Sequence, residues 1–314
     1  MKDLSVYANY RDVVVGAAID LAKEHPDVVF LDADLSSCIG STAFQKEFPD
    51  RFFNCGIAEA NMAGVAAGMA SAGLTPFIHS FACFASRRDY DQLFISVGYT
   101  HQVVHVIGSD PGIVAQYNGG THMPFEDIAL FRQIPGFNII EPSDATSLYS
   151  LTQQLYDAKK ASYIRTPRKG ISFRYTADDT IELGKAKVLR DGSDVTIVAT
   201  GVIMVDTALA AADALAAEGI KAAVIDLHTI RPLDTQTIES YAQHTGHVVV
   251  CENGRYPGGT GEMIARHLAM TCPVKMDFMC VGDEFGQVGS LAYLKSAYGF
   301  KPEILADKVR KLLH

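Results

Sequence analysis

Glu59 is a lone carboxylate in the first turn of a helix otherwise crowded with Ala and Gly, within the stretch FFNCGIAEANMAGVAAGMASAGLTPFIHSFACF. Read from the residues alone, two uses stand open for it. It can answer the partial positive charge of a helix N-terminus. It can also act as an acid, because apolar surroundings disfavour the charged form of a carboxyl group. Asp32 and Asp34 end the run Val28-Val29-Phe30-Leu31, where open α/β sheets place their ligand sites. Phe81 and Phe84, three residues apart, can stack on a flat ring or pack in a core. His122 stands in Gly119-Gly120-Thr121-His122, and a glycine-flanked histidine is seldom a core residue. The glycines of Tyr256-Pro257-Gly258-Gly259-Thr260-Gly261 fit neither G-x-G-x-x-G nor G-x-x-x-x-G-K-[ST], so a tight turn is expected there.

The elements that must position these residues alternate. Helical spacing covers 10–24, and short apolar runs predict strands at 28–31, 75–81, 103–108, 137–141 and 161–165, with a strand-like start at 51–54. Helices fit between them at 58–72, 86–98 and 124–133. Near 170–190 the pattern becomes polar and turn-rich, as expected of an inter-domain connection. A second unit follows, with strands at 194–200, 221–226 and 247–252, helices at 204–218, 234–244 and 261–270, and an amphipathic helix at 302–313. The alternation predicts doubly wound parallel sheets, an α/β fold in two domains.

With 314 residues the chain is long enough for two cores. Its net charge of −9, with no cluster of Lys and Arg, offers duplex nucleic acid no counter-charged surface. No apolar run reaches the length of a membrane span, and the N-terminus lacks the pattern of a signal peptide. The six cysteines are scattered without a C-x-x-C pair, which suits small buried hydrophobes better than disulfides or zinc ligands. A cytoplasmic protein without membrane or nucleic-acid partners is the expectation.

The order of motifs carries a resemblance over essentially the whole chain. Asp32-Ala33-Asp34-Leu35, Asn54-Cys55-Gly56-Ile57-Ala58-Glu59-Ala60-Asn61-Met62, Phe81-Ala82-Cys83-Phe84, Arg87-Arg88-Asp89-Tyr90-Asp91-Gln92, Gly119-Gly120-Thr121-His122 and Glu141-Pro142-Ser143-Asp144 follow one another. The set resembles the pyrimidine-binding and C-terminal domains of transketolase, in the form split into two subunits. The resemblance implies a pyrimidine-binding domain at 1–172, a linker at 173–190 and a C-terminal domain at 191–314. Thiamine diphosphate is the implied cofactor, with Mg2+ or Ca2+ held by a partner, since the Gly-Asp-Gly diphosphate motif occurs nowhere in this chain. The implied assembly is a homodimer of this chain within an α2β2 tetramer, the partner being the N-terminal subunit that carries Gly-Asp-Gly. Alone, the chain is expected to bind the cofactor weakly and to show no turnover.

The resemblance also assigns residues. Glu59, among Ile57, Ala58, Met62 and Ala63, matches the family acid that hydrogen-bonds the cofactor's aminopyrimidine. Phe84 matches the aromatic stacked on that ring, Phe81 lines the same pocket, and Asp34 matches a carboxylate near the cofactor where two chains meet. Asp32 is expected to be structural. His122 matches the histidine that hydrogen-bonds donor hydroxyls and assists proton transfer. Arg11, with Arg165 or Arg168, is expected to bind a substrate anion. Asn118, Asp110 and Cys38 stand where Asp, His and Ser are common in the family, and His79 where a small hydroxyl residue is usual. An acceptor unlike the ordinary aldose phosphates in length or anionic group follows. No metal ligand is expected in this chain, and Asp226–Asp234, including His228, is expected to be scaffold. The competing readings are the β subunit of a 2-oxoacid dehydrogenase, a fragment of a deoxyxylulose-phosphate synthase, and a regulatory subunit without activity.

Overall fold

The computed structural model describes residues 3–176 and 178–314. The chain forms two compact units. The first comprises residues up to Pro111 with Leu130–Leu183, the second Gly112–Ala129 with Gly184–His314.

The first unit is built on six parallel strands: β1 (Val28–Asp32), β2 (Phe52–Asn54), β3 (Thr75–Phe81), β4 (His105–Ser109), β5 (Asn138–Ile140) and β6 (Ser162–Thr166), in the order β5-β6-β4-β3-β1-β2. Every residue of β1, β4, β5 and β6 is buried, as expected when helices cover both faces of a parallel sheet. Helix α1 (Tyr10–Glu24) packs on the helix Ala145–Asp157, where Gln153 Nε2 donates to Ala17 O at 2.9 Å. The latter helix opens with a capping box between Asp144 and Ser147, which explains the Glu141–Asp144 motif locally. Between the strands run α2 (Ser36–Ile39), α3 (Thr42–Glu47), α4 (Glu59–Ser71) and α5 (Ala82–Arg87). The helix expected at 86–98 begins earlier, breaks at Arg88-Asp89, and ends in a π-helix, Leu93–Tyr99.

In the second unit, β7 (Lys187–Arg190), β8 (Val195–Ala199), β9 (Ala222–Asp226), β11 (His247–Arg255) and β12 (Lys275–Val281) form a five-stranded sheet, ordered β12-β11-β8-β9-β7; a three-residue strand β10 (Thr229–Arg231) follows β9 in the chain. Only β7 runs antiparallel, along the edge against β9. The stretch expected as a linker to 190 therefore ends in a strand. Its residues Lys-Val-Leu-Arg are only half-buried, so the alternation is short and weak in sequence. Helices Gly201–Ala216 and Pro302–Leu313 cover one face around Val249, Cys251, Leu215 and Val309. Among the described residues no helix is long and apolar enough to cross a membrane, and all six cysteines are free.

The first unit does not keep every residue up to 172. Gly112–Ala129 belongs to the second unit and is pinned there. Ile113 N donates to Asn253 Oδ1 at 3.0 Å, and the Phe125 and Tyr298 rings lie 5.4 Å apart. A Cβ on Gly120 would come within 2.4 Å of Gly286 O, so only glycine permits that approach.

Candidate functional site

Strand order in the first unit reverses between β1 and β3: β2 lies on one side of β1, and β3 with all later strands on the other. Open sheets bind ligands at such a reversal, beyond the carboxyl ends of the strands. Several of the expected residues stand at this end. Asp32 is in register with His79, Phe81 with Ser109, and Ser109 with Thr166. Asp34, Asp110 and Arg168 stand just past the ends of β1, β4 and β6, and Phe81 closes β3.

Glu59 is the first residue of α4 and is 4% exposed. Ser80, at the end of β3, donates its Oγ to Glu59 Oε1 at 3.4 Å. Met62 and Ala63 beside it are fully buried, whereas Ile57 is 80% exposed and contributes no apolar cover. Asp89 is fully buried, and neither carboxylate oxygen has a hydrogen-bond partner on another residue. Burial pushes the Asp89 carboxyl well above the usual carboxylate range, and the Glu59 charge adds to this. The Phe81 and Phe84 rings lie 6.3 Å apart at 55°.

Asp34 adopts a left-handed backbone, φ 63°, and the Asn54 side chain clamps it. Asn54 Nδ2 donates to Asp34 Oδ1 at 3.0 Å, while Asn54 Oδ1 accepts from Asp34 N at 3.2 Å and Gly56 N at 2.9 Å. One amide thus ties the Asp34 turn to the turn that leads into α4. Asp32 is fully buried and structural: Oδ1 accepts from Leu35 N at 2.5 Å and Oδ2 from Ser41 Oγ at 3.2 Å. His79 is also fully buried; its Nδ1 meets Asp32 Oδ2 at 3.1 Å and its Nε2 meets Ser109 Oγ at 3.0 Å.

The basic residues fall into two kinds. Arg165 is 1% exposed and forms an ion pair with Glu141, so it holds β6 to the segment after β5 and is not turned toward a ligand. This corrects the expectation for Arg165. Sequence placed Glu141 in a motif without giving it a partner. Arg168 Nε donates to Asp110 Oδ2 at 2.6 Å, its backbone N donates to Asp110 Oδ1 at 3.0 Å, and its guanidinium lies 4.7 Å over Phe81. Asp110 therefore neutralises Arg168, and its charge is not left unopposed. Arg11 donates to the carbonyls of Cys38 at 3.0 Å and Ser37 at 3.3 Å, and lies 3.6 Å from Asp12. Asn118 and His122 sit on the Gly112–Ala129 segment of the second unit. Asn118 is exposed, and the Nδ1 of half-buried His122 lies 2.8 Å from Thr121 Oγ1. His228, expected as scaffold, is buried beside Thr229, and burial holds its imidazole down to about 4.

The family model described as "Transketolase, pyrimidine binding domain" matches residues 7–172, and "Transketolase, C-terminal domain" matches 184–304. The chain belongs to the transketolase family. It is 44% identical over 289 residues to the 6-deoxy-6-sulfo-D-fructose transketolase subunit of Clostridium sp. (strain MSTE9), covering 92% of this chain and 89% of that one. To an apulose-4-phosphate transketolase subunit of Phocaeicola vulgatus it is 32% identical, with 91% of each chain covered. The structure superposes on a split-gene transketolase, described as an inactive β4 tetramer, with a TM-score of 0.88, 34% identity, and 97% and 98% of the two chains covered. The transketolase of Campylobacter jejuni shares the fold at TM-score 0.82 and 20% identity, and there the match covers 46% of the other chain. The chain thus carries the family's pyrimidine-binding and C-terminal domains, and thiamine diphosphate is the cofactor the family implies.

Proposed function

We propose that the chain is the pyrimidine-binding subunit of a two-subunit, thiamine-diphosphate-dependent transketolase that moves a two-carbon ketol unit between sugars. The observation that carries this reading is the buried Glu59 carboxyl at the start of α4, at the strand-end site that also holds the Phe81–Phe84 pair. These residues fit an aminopyrimidine, which needs an acidic group at a ring nitrogen and an aromatic face. Thiamine diphosphate supplies a nucleophilic carbon for breaking the bond beside a carbonyl, chemistry that no side chain here offers. Glu59 holds the proton at the ring nitrogen, and Ser80 orients the carboxyl from Oε1. With Arg168 covering Phe81, stacking falls to Phe84 and Phe81 forms the wall. Asp34 faces the cofactor where two chains meet. His122, its Nδ1 beside Thr121, carries the donor-hydroxyl proton.

The substrate carries an anionic end, bound by Arg11 and Arg168. With Asp110 cancelling Arg168, little net positive charge remains, which suits a monoanion such as a sulfonate better than a phosphate dianion. The name of the 44% identical relative supports this direction. Asn118 contacts a sugar hydroxyl. The diphosphate and its Mg2+ or Ca2+ belong to a partner subunit carrying Gly-Asp-Gly, a motif this sequence lacks. On α4, Gly64 and Gly68 are exposed with open space around them, beside half-exposed Val65, a face that allows close backbone packing in a homodimer within an α2β2 assembly. A similar chain is described as an inactive β4 tetramer, which supports the expectation of no turnover without the partner.

The test is reconstitution with a transketolase N-terminal subunit. Ketol transfer should require both chains, and Glu59→Gln should fold normally while slowing C2 proton exchange of the bound cofactor by several orders of magnitude. Turnover by the isolated chain, or acetyl transfer to a lipoyl domain by the pair, would sink the proposal. Exchange at the wild-type rate in Glu59→Gln would reduce Glu59 to a helix-start carboxylate.

A further inference from the structure

The carboxyl ends of three neighbouring strands carry a polar chain that the chemistry above does not use. His79, central on β3, meets Asp32 of β1 at 3.1 Å through Nδ1 and Ser109 of β4 at 3.0 Å through Nε2. All three side chains are fully buried. The order Ser-His-Asp invites comparison with a hydrolase triad, but no carbonyl carbon can reach a serine with zero exposure, so covalent catalysis is excluded. Nδ1–H donates to Asp32 Oδ2. In the neutral ring Nε2 accepts from the Ser109 hydroxyl, and in the imidazolium its N–H donates to the hydroxyl oxygen. In either form the ring bridges both side chains.

Each end of this chain abuts a strained turn. Asp32 also grips Leu35 N at 2.5 Å, one residue past Asp34, whose φ is 63°. Ser109 directly precedes Asp110, whose φ is 54° and whose carboxylate holds Arg168. Residues other than glycine are strained in this region, and they stay there only when their surroundings over-determine them. Here one imidazole bridges the anchors of both turns.

We propose that His79 is a positioning residue: through Asp32 and Ser109 it holds the Asp34 turn and the Asp110–Arg168 turn in one fixed arrangement, so that the cofactor side and the substrate side of the site are set together. Its effect on catalysis rests on the function proposed above, whereas its effect on the two turns does not. Losing the imidazole leaves Asp32 and Ser109 each short of a buried partner, and both turns loosen. Losing only the Ser109 hydroxyl leaves the Asp32–His79 bond in place, and one turn loosens.

The experiment is hydrogen–deuterium exchange on the full chain, read at residues 33–36 and 109–112, with β8 as an internal reference. In His79→Leu, exchange should rise tenfold or more in both segments and stay unchanged in β8. In Ser109→Ala it should rise tenfold at 109–112 and less than threefold at 33–36. A rise confined to one segment in His79→Leu, or an equal rise in β8, overturns the proposal. If His79→Leu does not fold, Ser109→Ala decides alone, and wild-type exchange at 109–112 refutes the link. In the reconstituted complex Ser109→Ala should lower kcat/KM for an anionic acceptor about tenfold while C2 proton exchange stays within twofold. A matching fall in both would mean a general structural role and would also overturn it. If the wild-type pair transfers no ketol unit, the functional reading fails, and the exchange measurements still decide this one.

Discussion

Asp110→Asn separates charge from shape at the substrate side. The amide is nearly the size of the carboxylate, and its oxygen can still accept one bond from Arg168. What disappears is the negative charge beside a guanidinium whose side chain is 12% exposed. A terminal phosphate dianion carries one more negative charge than a sulfonate. At about 6 Å and an effective dielectric near 20, each unit of charge at Asp110 repels a unit on the ligand by roughly 2.8 kcal/mol. Removing it should favour the dianion over the monoanion by at most about 2.8 kcal/mol, on the order of 100-fold, and solvent screening reduces this to roughly tenfold or more. The assay is kcat/KM for a sugar phosphate and for the corresponding sulfonate, in wild type and variant of the reconstituted pair, because only the ratio reports specificity. Loss of the ion pair also costs stability, so thermal unfolding accompanies the kinetics. An unchanged ratio in a folded variant would mean that Asp110 and Arg168 do not face the substrate's anionic end.

The remaining predictions concern stability. Arg165→Met should destabilise the fold by about 3–5 kcal/mol, because it leaves the buried Glu141 carboxylate without its guanidinium, and Arg165→Met with Glu141→Leu should recover most of that in urea unfolding. A double variant no more stable than the single would refute the pairing. Burial, with Lys159 adding, holds His105 down to about 3, and burial holds His228 down to about 4, against an ordinary 6.5. Both stay neutral in the fold and bind protons on unfolding. Their stabilisation is complete above pH 6.5 and is lost as pH falls, at up to about 1.4 kcal/mol per unit for each, ending near pH 4 for His228 and near pH 3 for His105. His105→Gln should flatten the stability–pH slope between pH 6 and 4 by about that amount; an unchanged slope would exclude it. The raised Asp89 favours the fold only below its ordinary 3.8 and costs stability above it. Asp89→Asn should therefore raise the thermal midpoint more at pH 7.5 than at pH 4, and an equal drop at both would show that the carboxyl makes contacts worth more than its burial costs.

Local patterns were legible where one element decides its own fate. The buried run at β1, and the helices Thr235–Thr245 and Pro302–Leu313, lie within a residue or two of the expectation, because a continuous apolar strand and amphipathic spacing are written in neighbouring residues. The edge strand β7 was not legible, since four half-buried residues of mixed polarity look like a loop until β9 supplies their partner. The capped helix Ala145–Asp157 did carry a local signal in Asp144 and Ser147, which read instead as part of a family motif. Nor could spacing reveal that Gly112–Ala129 joins the second unit, because the contacts that hold it, to Asn253, Gly286 and Tyr298, lie over a hundred residues away.

The same division runs through the candidate site. Residue type, with the family resemblance, singled out Glu59, Phe81 and Phe84, and the structure sets them at the strand ends where the sheet reverses. Pairing overturned what type suggested for the charges. Arg165 and Arg168 are three residues apart, on β6 and just past its end, yet one turns inward to Glu141 and the other toward Asp110 and Phe81. An arginine's availability to a ligand depends on which carboxylate reaches it first, and that carboxylate comes from another strand. Asn54, Ser80 and Ser109 escaped notice for a related reason: their side chains act on neighbours brought near only by the fold, on Asp34 past β1, Glu59 on α4 and His79 on β3. The chemistry a site can attempt is thus visible in isolated residues, whereas the charge it presents to a substrate is set by pairs that form only once the strands align.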